Sequence, residues 1–187
     1  MEIFRYVDIT KETVRTGWLE AGIHHGETIA EHMYHSALIA AILEQVSGDD
    51  TIDWNTVKNY CLIHDLGEAI TGDVPTPRKT ERDRTMEMKA LRKILSGYWR
   101  SLDHLDIEEI DSIEKKLYKY SEQMATLVQG AIYYKRGYRN DKVLEIINTS
   151  IKNIEDLSRK IGREWIYRFT NEIINWVTIQ ITQDENK

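Results

Sequence analysis

Apolar residues recur at three- and four-residue spacing along most of the chain, which is the pattern of amphipathic α-helices. The 187 residues include only two prolines, and both lie in the segment 71–77, where they mark a break between helices. Alternating β-branched runs, which would indicate strands, are few. The sequence therefore predicts an all-α helical bundle of six or seven helices, at about 9–20, 29–46, 54–65, 80–95, 107–135, 141–160 and 163–181.

Polar residues at helix starts sharpen these boundaries. Thr28 and Glu31 form the T-x-x-E capping-box pattern ahead of an apolar run, which predicts Thr28 as the N-cap of the second helix. Asp53 is predicted to cap the third helix. Segments 47–48 and 137–140 are predicted to lie between helices. Helical spacing in the last helix predicts core packing for Ile166, Phe169, Ile173, Trp176 and Val177.

Length, charge and cysteine content restrict the function classes. A chain of 187 residues predicts one domain over 1–187, large enough to bury a sizeable core. The formal net charge is −6 without a dense basic stripe, which argues against long nucleic acid as a partner because that binding depends on Lys and Arg. Cys61 is the only cysteine, and the chain shows neither an apolar signal segment nor a run of membrane-span length. We therefore expect a cytoplasmic protein without membrane contact.

The dipeptide His64-Asp65 and the earlier His32 carry the clearest chemical signal. His32 lies on the apolar face of its predicted helix, and His64 follows an apolar face, so both should point inward. Alone, each reads as a buried histidine that makes one hydrogen bond. Together with Asp65 they predict a divalent metal site, because a metal satisfies buried polar groups jointly. Imidazole and carboxylate ligands suit Mn, Fe, Co, Ni or Zn.

Two acidic residues follow this metal signal closely. Glu68 comes four residues after His64, so in a continuing helix it lies one turn further along the same face. There it is suited to accept a proton from a water of lowered pKa, and the alternative is an ordinary surface glutamate. Asp73 lies in the loop Gly72-Asp73-Val74-Pro75, where it either binds that water or the substrate, or merely initiates a turn.

Arg15 and Trp18 lie three residues apart in the first predicted helix and should be neighbours on its surface. Arginine binds phosphate bidentately, and tryptophan offers a flat wall for a sugar or base. The alternative is a packed tryptophan beside a solvated arginine. The pair thus indicates a nucleotide-binding site only in combination with the metal signal.

Other polar and aromatic residues favour structural interpretations. The charged run 80–89 is predicted to be mainly a solvated helix face, with Arg78 and Lys79 as minor candidates for phosphate contact. Packing is predicted for the aromatic cluster of Tyr133, Tyr134 and Tyr138. Surface or structural roles are predicted for His24, His25, His35 and His104.

Three stretches stand in order along the chain: Arg15-Thr-Gly-Trp18, Glu27-Thr-Ile-Ala-Glu-His32-Met-Tyr, and Ile63-His-Asp-Leu-Gly-Glu-Ala-Ile-Thr-Gly-Asp-Val-Pro-Thr-Pro77. A weaker stretch, Glu122-Gln-Met-Ala-Thr-Leu-Val-Gln129, precedes Gly137-Tyr138. Over about residues 10–140 they resemble the HD-domain metal phosphohydrolases, and more closely the 5′-deoxynucleotidase branch. The helices at about 141–181 then serve as C-terminal packing.

This resemblance implies a single-domain HD-domain bundle with one divalent metal between its central helices, drawn from Mn, Co, Fe, Ni, Mg or Zn. Its ligands would be His32, His64, Asp65 and a later acidic residue. It further implies that Glu68 and Asp73 order or deprotonate the attacking water. By the same resemblance, Arg15 would bind the 5′-phosphate and Trp18 would pack against the deoxyribose. Deoxynucleoside 5′-monophosphates are the implied substrates, and a homodimer is the implied assembly.

The position of the last ligand departs from the family pattern. The family usually places an aspartate about seven residues before a glutamine, whereas this chain has Glu122 before Gln129. Glutamate binds the same metals, but its extra methylene moves the oxygens outward. Glu122 also lies about 140° around its helix from the apolar stripe that includes Leu117, so it faces inward only if two sides of the helix are covered.

Three other functions remain open alternatives. An HD-fold enzyme for cyclic or polyphosphorylated nucleotides is disfavoured by the chain length and by the lack of a second histidine cluster. A di-iron oxygenase on the same fold needs later histidine ligands, and His104 is the only histidine after His64. A nucleotide-binding regulator with a drifted site is the third alternative, and Glu122 is its main support.

Overall fold

The structure is a computed structural model that describes residues 2–98 and 111–182. Its helices are α1 Ile3–Glu12, α2 Thr16–Glu20, α3 Ile29–Ser47, α4 Trp54–Cys61, α5 Glu68–Thr71, α6 Glu81–Leu95, α7 Ile113–Lys135, α8 Asp141–Ile161 and α9 Glu164–Thr182. A 3-10 turn covers Thr76–Arg78. Within the described ranges, β pairing is limited to one isolated bridge between Val14 and Thr28. The predicted all-α fold is confirmed.

The single helix predicted over 9–20 is wrong, because two short helices replace it. Helix α1 ends at Glu12, and Thr13 takes an extended conformation while its hydroxyl donates to the Ile9 carbonyl at 2.7 Å. The extended residues 13–15 then pair with the chain before α3. Arg15 N–H donates to the Glu27 carbonyl at 3.0 Å, and the Thr13 carbonyl accepts from Ile29 N–H at 2.9 Å. These long-range backbone bonds override the local helical preference.

The helix predicted over 54–65 also ends earlier, at Cys61. After it, His64 N–H still donates to the Tyr60 carbonyl at 2.9 Å, but three-residue hydrogen bonds also form, from Ile63 N–H to the Tyr60 carbonyl and from Leu66 N–H to the Ile63 carbonyl, both at 3.0 Å. The chain resumes as the short helix α5. His64 and Asp65 therefore lie in a tight turn rather than on a helix, but they still point inward.

The helix starts follow the polar signals of the sequence. Thr28 and Glu31 form the predicted reciprocal capping box, and Asp53 accepts from Thr56 N–H at the start of α4. Helix α7 begins at Ile113, because Ser112 is extended and its hydroxyl accepts from Lys115 N–H. The predicted start at Ile107 lies outside the described residues, as does His104.

Helix α7 lies at the centre of the bundle, where it packs against α3, α4, α8 and α9. The predicted apolar stripe along it is buried at Leu117, Tyr120, Met124, Leu127 and Ala131, whereas Ile113 at its start is only partly buried. Ala125 and Tyr133 on a second face are also buried, so α7 is covered on two sides. In α9, Ile166 and Val177 are buried, but Trp176 is 38% exposed, which contradicts its predicted core packing.

The described helices give no candidate for a membrane span. None of those in the ranges 2–98 and 111–182 combines the length and apolar character that crossing a bilayer requires. Their apolar surface is instead gathered into one hydrophobic core that includes residues from α2, α3, α4, α6, α7, α8 and α9. That core holds the turn after α4 and the start of α3 beside each other, which positions the site.

Candidate metal and substrate site

A cavity of about 350 Å³ lies between α2, the loop 72–79, α7 and α8. Its lining includes six of the predicted site residues: Arg15, Trp18, Asp65, Glu68, Asp73 and Glu122. The remaining two, His32 and His64, contact Asp65 from the protein interior. The fold therefore brings residues from opposite ends of the described chain to one place.

His32, His64 and Asp65 form a compact cluster of ligand atoms. The histidines are held by α3 and by the turn after α4, and their rings are 5.5 Å apart between centroids. Asp65 Oδ2 lies 3.3 Å from His64 Nε2 and 4.0 Å from His32 Nε2. One ligand atom from each residue lies within 4.8 Å of the other two, a spacing suited to one shared cation.

The buried nitrogens of this cluster fit a metal. His64 Nδ1 lies 2.8 Å from the Cys61 carbonyl, which fixes the tautomer that leaves Nε2 free as a ligand. Both ring nitrogens of His32 and Nε2 of His64 are buried without a hydrogen-bond partner in the described chain. Leaving such atoms unsatisfied is costly, and coordination to a cation removes that cost.

Burial and charge set the protonation of the cluster. Burial lowers the pKa of His32, and the positive charge of Arg15 lowers it further, which favours the neutral imidazole that binds metals. For His64, burial disfavours the imidazolium, but the charge of Asp65 raises the pKa to about 9. For Asp65, burial alone would raise the pKa, but the charge of His64 holds that pKa well below its ordinary value. A proton on His64 thus stands where a metal would bind.

Glu27 is a residue of this site for which the sequence analysis predicted no role. Its Oε2 accepts from Trp18 Nε1 at 3.2 Å and lies 3.7 Å from both Arg15 Nη1 and His32 Nδ1. Its Oε1 lies 3.6 Å from His35 Nδ1. Burial alone would raise the pKa of Glu27, but contacts with His32 and His35 and the charge of Arg15 hold it well below its ordinary value. One buried anion thus joins the metal cluster to Arg15 and Trp18.

Arg15 and Trp18 stand on either side of the start of α2. The Arg15 side chain is 18% exposed, and Nη1 lies 3.3 Å from Thr126 Oγ1, so the guanidinium lines the cavity. Trp18 is 2% exposed and packs edge-on against Tyr133, as the structural alternative predicted, while it also lines the cavity. The solvated-arginine alternative is wrong.

Glu68 at the start of α5 is buried, so the surface-glutamate alternative is wrong. Its Oε1 accepts from Lys79 Nζ at 3.2 Å, whereas Oε2 is buried without a hydrogen-bond partner in the described residues. Burial, and then the negative charges of Asp65 and Asp73, raise the pKa of Glu68 to about 10. A carboxyl with one free oxygen and raised proton affinity beside a metal cluster is suited to acid–base chemistry.

Asp73 ties the loop after α5 to the start of α2. Its carboxylate accepts from the backbone N–H of Thr16, and its carbonyl accepts from the Thr16 hydroxyl at 3.0 Å. Asp73 also lines the cavity. It therefore fixes the loop beside Arg15, and its predicted contact with water or substrate stays a prediction.

Glu122 lies on α7 and lines the cavity. It faces inward because α7 is buried on two faces. It is not part of the described cluster whose ligand atoms lie within 4.8 Å of one another. The structure thus brings Glu122 to the same cavity as Asp65 and holds it at a greater distance than the other three predicted ligands. Its role as fourth ligand stays a prediction.

The remaining sequence predictions concern surface histidines, the tyrosine cluster and the charged run 80–89. His24 and His25 are exposed as predicted, and Tyr133 is buried in packing. The charged run 80–89 is mainly solvated, but Glu87 turns inward and its carboxylate lies 2.6 Å from Lys79 Nζ. Lys79 is itself largely buried, at 13% side-chain exposure. Sequence spacing did not reveal this pair, because Lys79 precedes α6 and lies outside the three- and four-residue spacing that marks neighbours on a helix.

With this geometry in place, comparison with known protein families decides the fold family. A family described as HD domain matches residues 7–155 of the chain, which is more than half of its length. The chain belongs to the HD-domain family. The resemblance that the sequence motifs indicated, over about residues 10–140, is confirmed.

Curated relatives of this HD-domain chain are named as 5′-deoxynucleotidases. The 5′-deoxynucleotidase HDDC2 of Homo sapiens is 27% identical over 146 residues, covering 71% of this chain and 67% of the relative. The 5′-deoxynucleotidase hdd1 of Schizosaccharomyces pombe is 37% identical over 87 residues, covering 45% of this chain and 41% of the relative. The resemblance to the 5′-deoxynucleotidase branch is thereby confirmed.

Solved structures support the same fold. A conserved hypothetical protein from Pyrococcus furiosus is similar to the HD-domain chain with a TM-score of 0.75 and 27% identity, covering 95% of this chain and 98% of the other. A cyanophage S-2L HD phosphohydrolase, solved with dA and one catalytic Zn²⁺ ion, has a TM-score of 0.54 and 17% identity, covering 84% of each chain. The second likeness concerns the fold alone.

Proposed function

We propose that this HD-domain protein, a hydrolase of phosphoric monoesters, acts on deoxynucleoside 5′-monophosphates and releases a deoxynucleoside and phosphate. The observation that carries the proposal is that Arg15, Glu68 and the His32–His64–Asp65 cluster meet at one cavity. A phosphate-binding cation, a proton acceptor and a metal cluster are the groups that phosphomonoester hydrolysis requires. The names of the curated relatives support the nucleotide class of the substrate.

His32, His64 and Asp65 would hold one divalent ion, with Glu122 as the proposed fourth ligand. When bound, such an ion supplies positive charge to phosphoryl oxygens and lowers the pKa of a water molecule. The donor set of imidazole and carboxylate suits Mn, Co, Fe, Ni and Zn, and Mg completes the candidate ions. Reloading chelated protein with each ion in turn decides among them.

The residues around this cluster have separate tasks. Arg15 binds the phosphate and opposes the negative charge that builds up as water attacks phosphorus. The oxygen of that water forms a bond to phosphorus while the bond from phosphorus to the 5′-oxygen breaks. A cation held by the cluster would oppose the carboxylate repulsion that raises the pKa of Glu68, so that the free Oε2 of Glu68 can accept a proton of the water. Glu68 then passes that proton to the leaving 5′-oxygen, which gives the nucleoside. Asp73 holds the loop after α5 against the start of α2, beside Arg15.

Trp18 is the proposed wall for the sugar. Its side chain lines the cavity three residues from Arg15 and is held by the Glu27 carboxylate and by Tyr133. A ring fixed in this way cannot move aside for an extra hydroxyl group, so a 2′-deoxyribose is favoured over a ribose. The preference for deoxynucleotides is the part of the proposal that rests on Trp18.

Phosphate release from matched deoxy- and ribonucleoside 5′-monophosphates tests the proposal. Chelated protein is reloaded separately with Mn, Co, Fe, Ni, Mg or Zn. We expect metal-dependent release, with kcat/KM higher by about tenfold or more for deoxy substrates, as a steric difference of 1–3 kcal/mol gives. Equal rates for both sugars would contradict the role of Trp18, and release without metal would contradict the mechanism.

Variants of Trp18 and Arg15 test the sugar preference and the phosphate binding separately. Trp18→Phe is expected to narrow the preference for deoxy substrates, whereas Trp176→Phe, a half-exposed tryptophan on α9, should leave it unchanged. Arg15→Lys keeps the charge but loses the bidentate fork, so KM should rise. Unchanged KM in Arg15→Lys would remove Arg15 from phosphate binding.

A second candidate function is a nucleotide-binding regulator with little turnover. The position of Glu122 outside the ligand cluster favours it, because a site with three close ligands can bind a metal and still lack full activity. Metal and deoxynucleotide binding without phosphate release would support the regulator over the enzyme. The predicted homodimer and cytoplasmic location stay predictions.

A further inference from the structure

Beside the metal cluster lies a second group of acidic residues. Asp65, Glu68 and Glu87 each place a carboxylate oxygen within 4.8 Å of the other two. They come from the turn after α4, from α5 and from α6. Three carboxylates this close repel one another, and the repulsion is strong because Asp65 and Glu68 are buried. A cation among them offsets that repulsion and allows these groups to ionise.

Lys79 supplies that cation from within the chain. Its Nζ lies 3.2 Å from Glu68 Oε1 and 2.6 Å from Glu87 Oε2. Burial disfavours the ammonium, but the negative charges of Asp65, Glu68 and Glu87 more than offset it and raise the pKa of Lys79. The lysine is therefore charged at neutral pH, and it follows the loop of Pro75 and Pro77, which lines the cavity.

The contact also orients Glu68. Lys79 engages Oε1 only, and Oε2 stays buried without a hydrogen-bond partner in the described residues. Such a carboxylate has one oxygen fixed and the other available to a water in the cavity. Loss of Lys79 would leave both oxygens without a fixed position and two buried carboxylates without their counter-charge.

We propose that the Lys79 ammonium occupies the position of a second cation between Asp65, Glu68 and Glu87, so that the site takes one metal and Glu68 is held in position. Lys79 is thus a positioning residue rather than a ligand for the phosphate. Because this role rests on the proposed one-metal site, its test has to separate the two ideas. Removing the ammonium converts three carboxylates into a site for an oxygen-seeking divalent ion such as Mn²⁺.

The number of metal ions bound per chain tests the role of Lys79 directly, without any assay of turnover. Chelated wild type and Lys79→Met are dialysed against Mn²⁺, and bound metal is counted per chain. We expect one ion in the wild type and two in Lys79→Met. The double variant Lys79→Met/Glu87→Gln should return to one ion, because it removes the third carboxylate.

Two further variants serve as controls. Lys79→Arg keeps the positive charge and should bind one ion. Lys58→Met removes another half-buried lysine, whose Nζ lies 2.8 Å from Glu44 Oε2 away from the cavity, and should also bind one ion. Lys79→Gln is a second variant without the positive charge, and it keeps the test valid if Lys79→Met misfolds. Its amide can still donate to Glu68. It should bind two ions.

The outcomes distinguish the claims. One ion in both Lys79→Met and Lys79→Gln, folded by circular dichroism, would overturn the role of Lys79 and leave the one-metal site intact. No ion in the wild type would instead overturn the proposed metal site. Turnover provides a second readout, since a positioning role predicts a fall in kcat of about tenfold or more in Lys79→Gln with KM little changed and partial recovery in Lys79→Arg.

Discussion

At the scale of single residues, buried carboxylates decide what the site can do. Glu27, Asp65 and Glu68 are 5%, 8% and 4% exposed, and the fixed cations beside them are Arg15 and Lys79. Protons balance the remaining charge, since the pKa of Glu68 is raised to about 10 and that of His64 to about 9, and a divalent cation would take the place of these protons. His32 and His64 have buried ring nitrogens without a hydrogen-bond partner in the described residues, and these nitrogens mark where that cation fits. Glu68 Oε2 marks where a proton can be taken up.

Replacing Glu68 by Gln keeps the shape of the side chain and removes the proton acceptor. We expect kcat to fall by about 100-fold or more, with KM changed little, since general base catalysis contributes about 10²–10⁴-fold. Steady-state phosphate release measures both parameters. Glu44→Gln, which alters a carboxylate outside the cavity, is the matched control, and a Glu68→Gln enzyme of full activity would contradict the assigned role.

Glu27→Gln tests the buried anion that links the metal cluster to Arg15 and Trp18. The amide oxygen can still accept from Trp18, but the charge that supports Arg15 and His32 is lost. We expect metal affinity to fall by about 10–100-fold, as for other groups that orient a ligand, and KM for the nucleotide to rise. Calorimetric titration with Mn²⁺ and steady-state kinetics give the two values. Unchanged metal affinity would show that Glu27 has only a packing role.

The sequence could predict the residues whose position follows from local spacing. His32 lies on an apolar helix face, so its burial follows from periodicity, and the His64-Asp65 pair follows an apolar run. Glu27 could not be found in this way, because its partners come from α2, α3 and the chain before them. Its place in the stretch that resembles HD-domain proteins was its only signal.

At the scale of elements, the close packing of α5 on α6 positions Glu68 and Glu87 around Lys79. Gly67 makes this approach possible, because a Cβ atom built there would lie 2.5 Å from the Glu87 carbonyl oxygen and 3.2 Å from the Leu91 nitrogen. Both are backbone atoms, which cannot move aside as a side chain can. The two short elements are thus held at a distance that only glycine permits.

Gly67→Ala should therefore destabilise the protein. Overpacking of this kind costs about 1–3 kcal/mol in free energy of unfolding, and urea denaturation measures it. Gly17→Ala is the control, because the nearest heavy atom to its Cβ is Ile146 Cδ1 at 3.9 Å, an ordinary contact. A Gly67→Ala variant as stable as Gly17→Ala would mean that α5 and α6 have room to separate.

Element boundaries were predicted well where a side chain caps its own helix, as at Thr28 and Asp53. They were predicted wrongly where distant backbone groups compete for the same hydrogen bonds. Residues 13–15 leave the helical conformation because they pair with Glu27 and Ile29, which are more than ten residues away. No local pattern contains that information.

At the scale of the whole molecule, the cavity joins helices from both ends of the described chain, so ligand binding and folding are linked. The metal cluster depends on α3 and on the turn after α4, and the cavity wall depends on α7 and α8. A cation that binds only the folded state stabilises all of these elements together. One cooperative unfolding transition is expected for a single domain.

Removal of the metal should lower the unfolding temperature. At a metal concentration of about 100 times Kd, binding adds about 2.7 kcal/mol, and for a domain of this size that corresponds to about 5–10 °C in Tm. Differential scanning calorimetry of chelated and Mn²⁺-loaded protein measures the shift. The shift should be absent in His64→Ala, and an equal shift in that variant would place the metal elsewhere.

The most direct single measurement is a metal titration of turnover. Hydrolysis of one deoxynucleoside 5′-monophosphate is followed while Mn²⁺ is added to chelated protein from zero to two equivalents, for the wild type and for Asp65→Asn. A one-metal phosphomonoesterase at the His32–His64–Asp65 cluster predicts that wild-type activity rises to a break at one equivalent and that Asp65→Asn stays near the baseline. Activity without added metal, or the same curve for both proteins, would contradict it.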